Sequence, residues 1–93
     1  MDIETKVKII NDFVESHDIQ LLEWKSVRSK RNKWLINDKI VYRGKLSKIL
    51  EDFAVDNGYC RRIDLHHTEM KDLFYQFSHK TKMKKHEMHT TIL

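Results

Sequence analysis

The chain has 93 residues, 40% hydrophobic and 34% charged, with a formal net charge of +4. That length supports one domain with one modest core and excludes two, and the apolar content excludes a disordered chain. There is no proline and there are only two glycines, Gly44 and Gly58, so regular elements joined by short turns are expected.

In chain order, Ile3, Val7, Ile10 and Val14 recur at helical spacing with Phe13 beside them. Asp2 is placed to cap this segment and Glu4 suits its positive end, which predicts an amphipathic helix from Ile3 to about Ser16. Ile19 to Val27 reads as either a strand or the start of a second helix, because its apolar cluster is too short to show a period. Arg28 to Lys33 has no apolar residue and reads as an exposed loop or a solvated face. Trp34-Leu35-Ile36 and Ile40-Val41-Tyr42 flank Asn37-Asp38, two residues that tolerate positive φ, and so predict a β-hairpin. Arg43-Gly44 is expected to break the second strand. Leu46, Ile49, Leu50 and Phe53 share a face, predicting a helix over 45–57 that stops at Asn57-Gly58. Tyr59 to Leu65 alternates and predicts a short strand. Met70, Leu73, Phe74 and Phe77 predict a helix from Thr68 to His79, followed by a lysine-rich tail.

The expected fold is therefore α+β: a small single domain of three amphipathic helices with a short β-hairpin and an additional short strand. The alternative is a mostly α, helix-turn-helix-like arrangement. The expected division is a globular domain over 1–79 and a basic C-terminal tail over 80–93.

Charge is the most informative feature. The net charge is −4 from Met1 to Glu23, +8 from Trp24 to Lys48, −3 from Ile49 to His79 and +3 from Lys80 to Leu93. Clustered Lys and Arg attract phosphates, and neutralising them releases counterions. Lys25, Arg28, Lys30, Arg31 and Lys33 lie between Trp24 and Trp34, aromatics that either stack on bases or belong to the core. Arg43, Lys45 and Lys48 extend the basic region onto the start of a helix, a favourable place for an anion, with Ser47 between them. These eight basic residues are the candidate nucleic-acid contacts. Lys80, Lys82, Lys84 and Lys85 read as a basic arm or a solubilising end. Arg61 and Arg62 either join the basic surface or pair with Asp64 and Glu69.

Catalytic motifs are missing. His86-Glu87-Met88-His89 falls one residue short of the metalloprotease HExxH. His66-His67 is followed by no asparagine to complete a nuclease-type metal set. No pattern of Cys60 with the six histidines matches a zinc site, so no metal and no cofactor is expected. Cys60 with a histidine neighbour reads better as a small buried residue than as a nucleophile. Glu51-Asp52, adjacent on a helix, reads as a solvated face.

A lone cysteine favours a reducing, cytoplasmic setting. Met1 to Lys8 carries acids and lacks the apolar stretch of a secretory signal. No apolar run approaches the roughly 18 residues of a membrane span. The sequence thus favours a non-catalytic accessory or regulatory protein that binds DNA or RNA through its basic surface. The alternative is a small adaptor or inhibitor of a protein partner, either an acidic one or a nucleic-acid-processing enzyme. Its acidic first helix also allows pairing with a second copy. A metal-dependent enzyme ranks third.

Overall fold

An aspartate opens the fold. The Asp2 backbone is extended and its carboxylate accepts the Thr5 amide proton at 2.8 Å, so helix α1 spans Ile3–Ser16, the range its spacing predicts. The Thr5 side chain first, and then its amide, hold the Asp2 carboxyl below its ordinary pKa. The computed structural model describes the backbone of residues 1–92 and the side chains of residues 1–83. The buried stripe of α1 is rotated from the expected one. Ile9, Ile10, Phe13 and Val14 face inward together with Lys6, whereas Ile3 is 74% and Val7 42% exposed.

The ambiguous segment is a strand, β1 (Ile19–Glu23), with Ile19 and Leu21 inward. The hairpin follows as β2 (Lys33–Ile36) and β3 (Lys39–Tyr42). Asn37 and Asp38 take φ of 48° and 67°, the two positive values that a type I′ turn needs to match strand twist. The three strands form an antiparallel meander in the order β1-β2-β3. Leu21, Trp34 and Val41 are cross-strand neighbours on the buried face, as are Ile19 and Ile36. Leu22 sits at an irregularity in the β1–β2 ladder.

Strand passes directly into helix. Arg43 and Gly44, expected as a break, are the first residues of α2 (Arg43–Asp56), with Tyr42 at the N-cap. The helix buries Leu46, Leu50 and Ala54, and Gly58 ends it in the left-handed region at φ 76°. No strand forms at Tyr59–Leu65. Arg62–Asp64 is a single 3₁₀ turn, and Ile63 is 70% exposed. The Asp64 carboxylate accepts from both the backbone amide and the guanidinium of Arg61, a local bonding pattern that displaces sheet pairing. The additional strand of the fold is β1 instead.

Helix α3 (His67–Ile92) passes residue 79 without a break. Its buried side includes Leu73, Phe74, Phe77, Ser78 and Thr81. The helices contact one another, and α2 and α3 also contact the sheet, so the fold is α+β around one core. At its centre the Trp34 ring lies 5.8 Å from Phe74 and 5.5 Å from Phe77, and Phe13 lies 5.6 Å from Phe77. Among the described residues, no helix is long and apolar enough to cross a membrane.

Candidate nucleic-acid interface

The loop between β1 and β2 is built around one buried polar side chain. Asn32 is fully buried; its Oδ1 accepts the Lys25 amide proton at 2.8 Å and its Nδ2 donates to the Ser26 carbonyl at 2.7 Å. The Ser29 amide donates to the Ser26 carbonyl at 3.1 Å, and the Arg31 amide donates to the Ser29 hydroxyl at 3.1 Å. These bonds close the loop on itself with Arg28, Lys30 and Arg31 exposed at its outside. The sequence reads as solvated throughout this stretch and gives no sign of Asn32, because an asparagine within a run of cations carries no apolar signal.

Arg43 fastens the loop to α2. Its Nη1 donates to the Arg28 carbonyl at 2.6 Å while its guanidinium lies 4.6 Å from the centre of the Phe74 ring. The side chain is therefore committed to holding the loop. The N-terminus of α2, with no side-chain cap and no acidic residue in its first turn, is thereby set beside the loop, and Lys45 is exposed on that turn. Ser47 is turned back on its own helix, its hydroxyl donating to the Arg43 carbonyl at 3.2 Å.

The candidate cations divide into two sets. Lys25 and Lys33 flank Glu23 at 3.5 Å and 3.9 Å, and Lys48 reaches Asp52 at 3.4 Å and Glu51 at 3.9 Å. By contrast, no carboxylate lies within ion-pair distance of Arg28, Lys30, Arg31 or Lys45 among the described residues. Lys39, absent from the candidate set, is exposed at the start of β3. Arg61 pairs with Asp64 at 3.2 Å, whereas Arg62 reaches Glu51 at 2.9 Å and Asp52 at 3.1 Å. Glu51 and Asp52 thus converge on Arg62 and Lys48 rather than forming a plain solvated face. The Arg62 hydrogen bond holds the Asp52 carboxyl below its ordinary pKa.

Both tryptophans are committed to the body of the fold. Trp34 is fully buried and its indole N–H donates to the Thr81 hydroxyl at 3.0 Å. Trp24 is half-buried, its N–H donates to the Ser78 hydroxyl at 3.1 Å, and the Lys82 ammonium lies 3.5 Å from its ring centre. Of the two readings, stacking on bases or belonging to the core, the structure takes the second, with Trp34 inside the core and Trp24 packed against it. In the basic arm, Lys80 donates to Asn11 at 2.6 Å, and Lys84 and Lys85 lie outside the described side chains.

Among the described residues, no three His, Cys, Asp or Glu side chains gather closely enough to hold a metal; His86 and His89 lie outside them. Burial, then the Asp64 charge, pushes the Cys60 thiol above its ordinary pKa, which works against a nucleophilic thiolate. A groove between α1 and α3 is lined by Val7, Ile10, Val14, Tyr75 and Met83, with Glu15 and Lys80 at its sides. Compared with known proteins, the chain matches no family model, no curated protein and no solved structure.

Proposed function

We propose that this is a small binding protein for nucleic acid, an accessory or regulatory factor that contacts phosphates through the β1–β2 loop and the first turn of α2. One observation carries the reading. Arg28, Lys30 and Arg31, none with a carboxylate partner among the described residues, project from a loop fixed by buried Asn32 and by Arg43. Lys45 adds a fourth such cation on the adjoining helix end.

Two physical effects favour this use. A loop whose backbone is already held in place loses less conformational freedom on binding. One without an internal carboxylate gives up no ion pair when it meets a phosphate, so counterion release drives the association. Lys25, Lys33 and Lys48 contribute less, because each shares its charge with Glu23, Glu51 or Asp52. Arg43 acts by position.

The test is fluorescence anisotropy with labelled DNA and RNA. It compares the protein with a variant carrying Arg28→Ala, Lys30→Ala, Arg31→Ala and Lys45→Ala. Binding should weaken on every sequence, and its salt dependence should flatten by roughly 0.7 unit per cation removed on single strands and roughly 0.9 on duplex. Equal affinity of the variant would assign the contacts elsewhere.

A further inference from the structure

We infer that the solvent-facing side of the sheet takes an unpaired stretch of nucleic acid, with Tyr42 stacking on a base. This rests on the phosphate-binding reading above and specifies its ligand as single-stranded.

The register defines the surface. Opposite the buried face, Gln20, Leu35 and Ile40 form one cross-strand row, and Glu23, Lys33 and Tyr42 form the next. Ile40 is 57% exposed, Tyr42 49% and Leu22 38%, with Leu35 half-buried beside them. Three strands of such a small domain therefore turn an apolar surface with an aromatic ring toward water. Isolated exposed apolar residues are ordinary, but a contiguous set on one sheet face marks a contact surface.

Its charge says what it contacts. The Tyr42 row ends at the basic loop, since Arg43 follows Tyr42 and holds the Arg28 carbonyl. Lys33 Nζ lies 5.6 Å from the centre of the Tyr42 ring. Glu23 is the one acid in these two rows, and Lys25 and Lys33 stand on either side of it. An apolar, aromatic face continuous with unpaired cations fits a ligand that offers flat bases and a phosphate chain together. A duplex keeps its bases stacked inside and leaves the apolar face unmatched, whereas a single strand supplies both groups. With both tryptophans held in the body of the fold, Tyr42 is the ring at this surface that is free to stack.

The full chain should be tested by anisotropy on a labelled oligothymidylate and on a duplex, as wild type, Tyr42→Ser and Tyr42→Phe. Tyr42→Ser should keep its fold, because position 42 is the N-cap of α2 and serine is a preferred cap. The expected result is a preference for the single strand, weakened about tenfold by Tyr42→Ser and retained by Tyr42→Phe, the size of one lost stacking contact. Equal binding of both ligands, unaffected by Tyr42→Ser, would overturn this inference and leave the loop contacts standing. Sensitivity to Tyr42→Ser without sensitivity to the fourfold loop variant would uphold the sheet and overturn the loop. Failure of both ligands to bind at low salt would overturn both and turn the face over to a protein partner.

Discussion

Two indole N–H groups meet two hydroxyls three residues apart on α3: Trp24 with Ser78 and Trp34 with Thr81. A buried donor left without an acceptor loses its hydration and gains nothing in exchange. Thr81→Val keeps the shape and removes the acceptor of fully buried Trp34, so urea unfolding should show a loss of about 1–3 kcal/mol. An unchanged midpoint would mean that the Thr81 bond contributes nothing. Ser78→Ala should cost less, because Trp24 is half-buried. Charge has its own instance on the same helix. The Lys6 ammonium lies 2.8 Å from Glu69 and 2.9 Å from Asp72. The ammonium depresses the Glu69 pKa, and the Glu69 and Asp72 carboxylates in turn raise that of Lys6. The contribution of Glu69 is therefore complete above the ordinary carboxylate range and is lost as pH falls through its lowered folded value. That of Lys6 is complete at neutral pH and is lost only as pH rises through its elevated folded value. Stability should fall on the acid side, from about pH 5 downward. Lys6→Met should make that fall shallower in a series of urea midpoints, and an identical slope would contradict the assignment. None of these partners was legible beforehand. Ser78 and Thr81 look like ordinary polar helix residues until the indoles above them are placed.

Local chemistry made some elements readable and long-range pairing hid others. Asp2 and Asn37-Asp38 fix the start of α1 and the hairpin turn through bonds and dihedrals within a few residues, so both were legible. β1 was undecidable because its partner, β2, lies beyond a loop whose closing residue is buried Asn32. The alternation at Tyr59–Leu65 misled, since Arg61 and Asp64 satisfy that backbone locally and no strand edge reaches it. The apolar stripe of α3 stops at Phe77, yet burial continues to Thr81 because a hydroxyl was needed there. The loop itself yields a prediction that leaves charge untouched. Asn32→Ala removes the acceptor for Lys25 and the donor to Ser26, at a cost of about 1–3 kcal/mol. Nucleic-acid affinity of the folded variant should fall although no cation is lost. Undiminished affinity would show that the order of the loop is irrelevant to binding.

Across the whole molecule, the charge blocks of the sequence become surfaces with different internal pairing. The −3 block from Ile49 to His79 is drawn into pairs: Glu51 and Asp52 with Lys48 and Arg62, Glu69 and Asp72 with Lys6. In the +8 block, Lys39 on β3 and the four cations of the proposed surface, Arg28, Lys30, Arg31 and Lys45, have no carboxylate partner among the described residues. The position of the basic surface was legible from charge alone. Its division into paired, positioning and unpaired cations was legible only in part: Lys48 meets Glu51 and Asp52 on its own helix and Lys25 lies two residues from Glu23, whereas Lys33 reaches Glu23, and Arg43 the Phe74 ring and the Arg28 carbonyl, only through tertiary contact. The aromatic assignment also needed the fold: burial took Trp34 and left Tyr42 outside. The account turns on those four unpaired cations, and the salt dependence of single-stranded DNA binding measures them most directly. If they meet phosphates, log affinity should fall against log salt with a slope of about −3, four contacts at roughly −0.7 each. A slope near zero, or no binding at low salt, would contradict the account and leave the groove between α1 and α3 as the surface to explain.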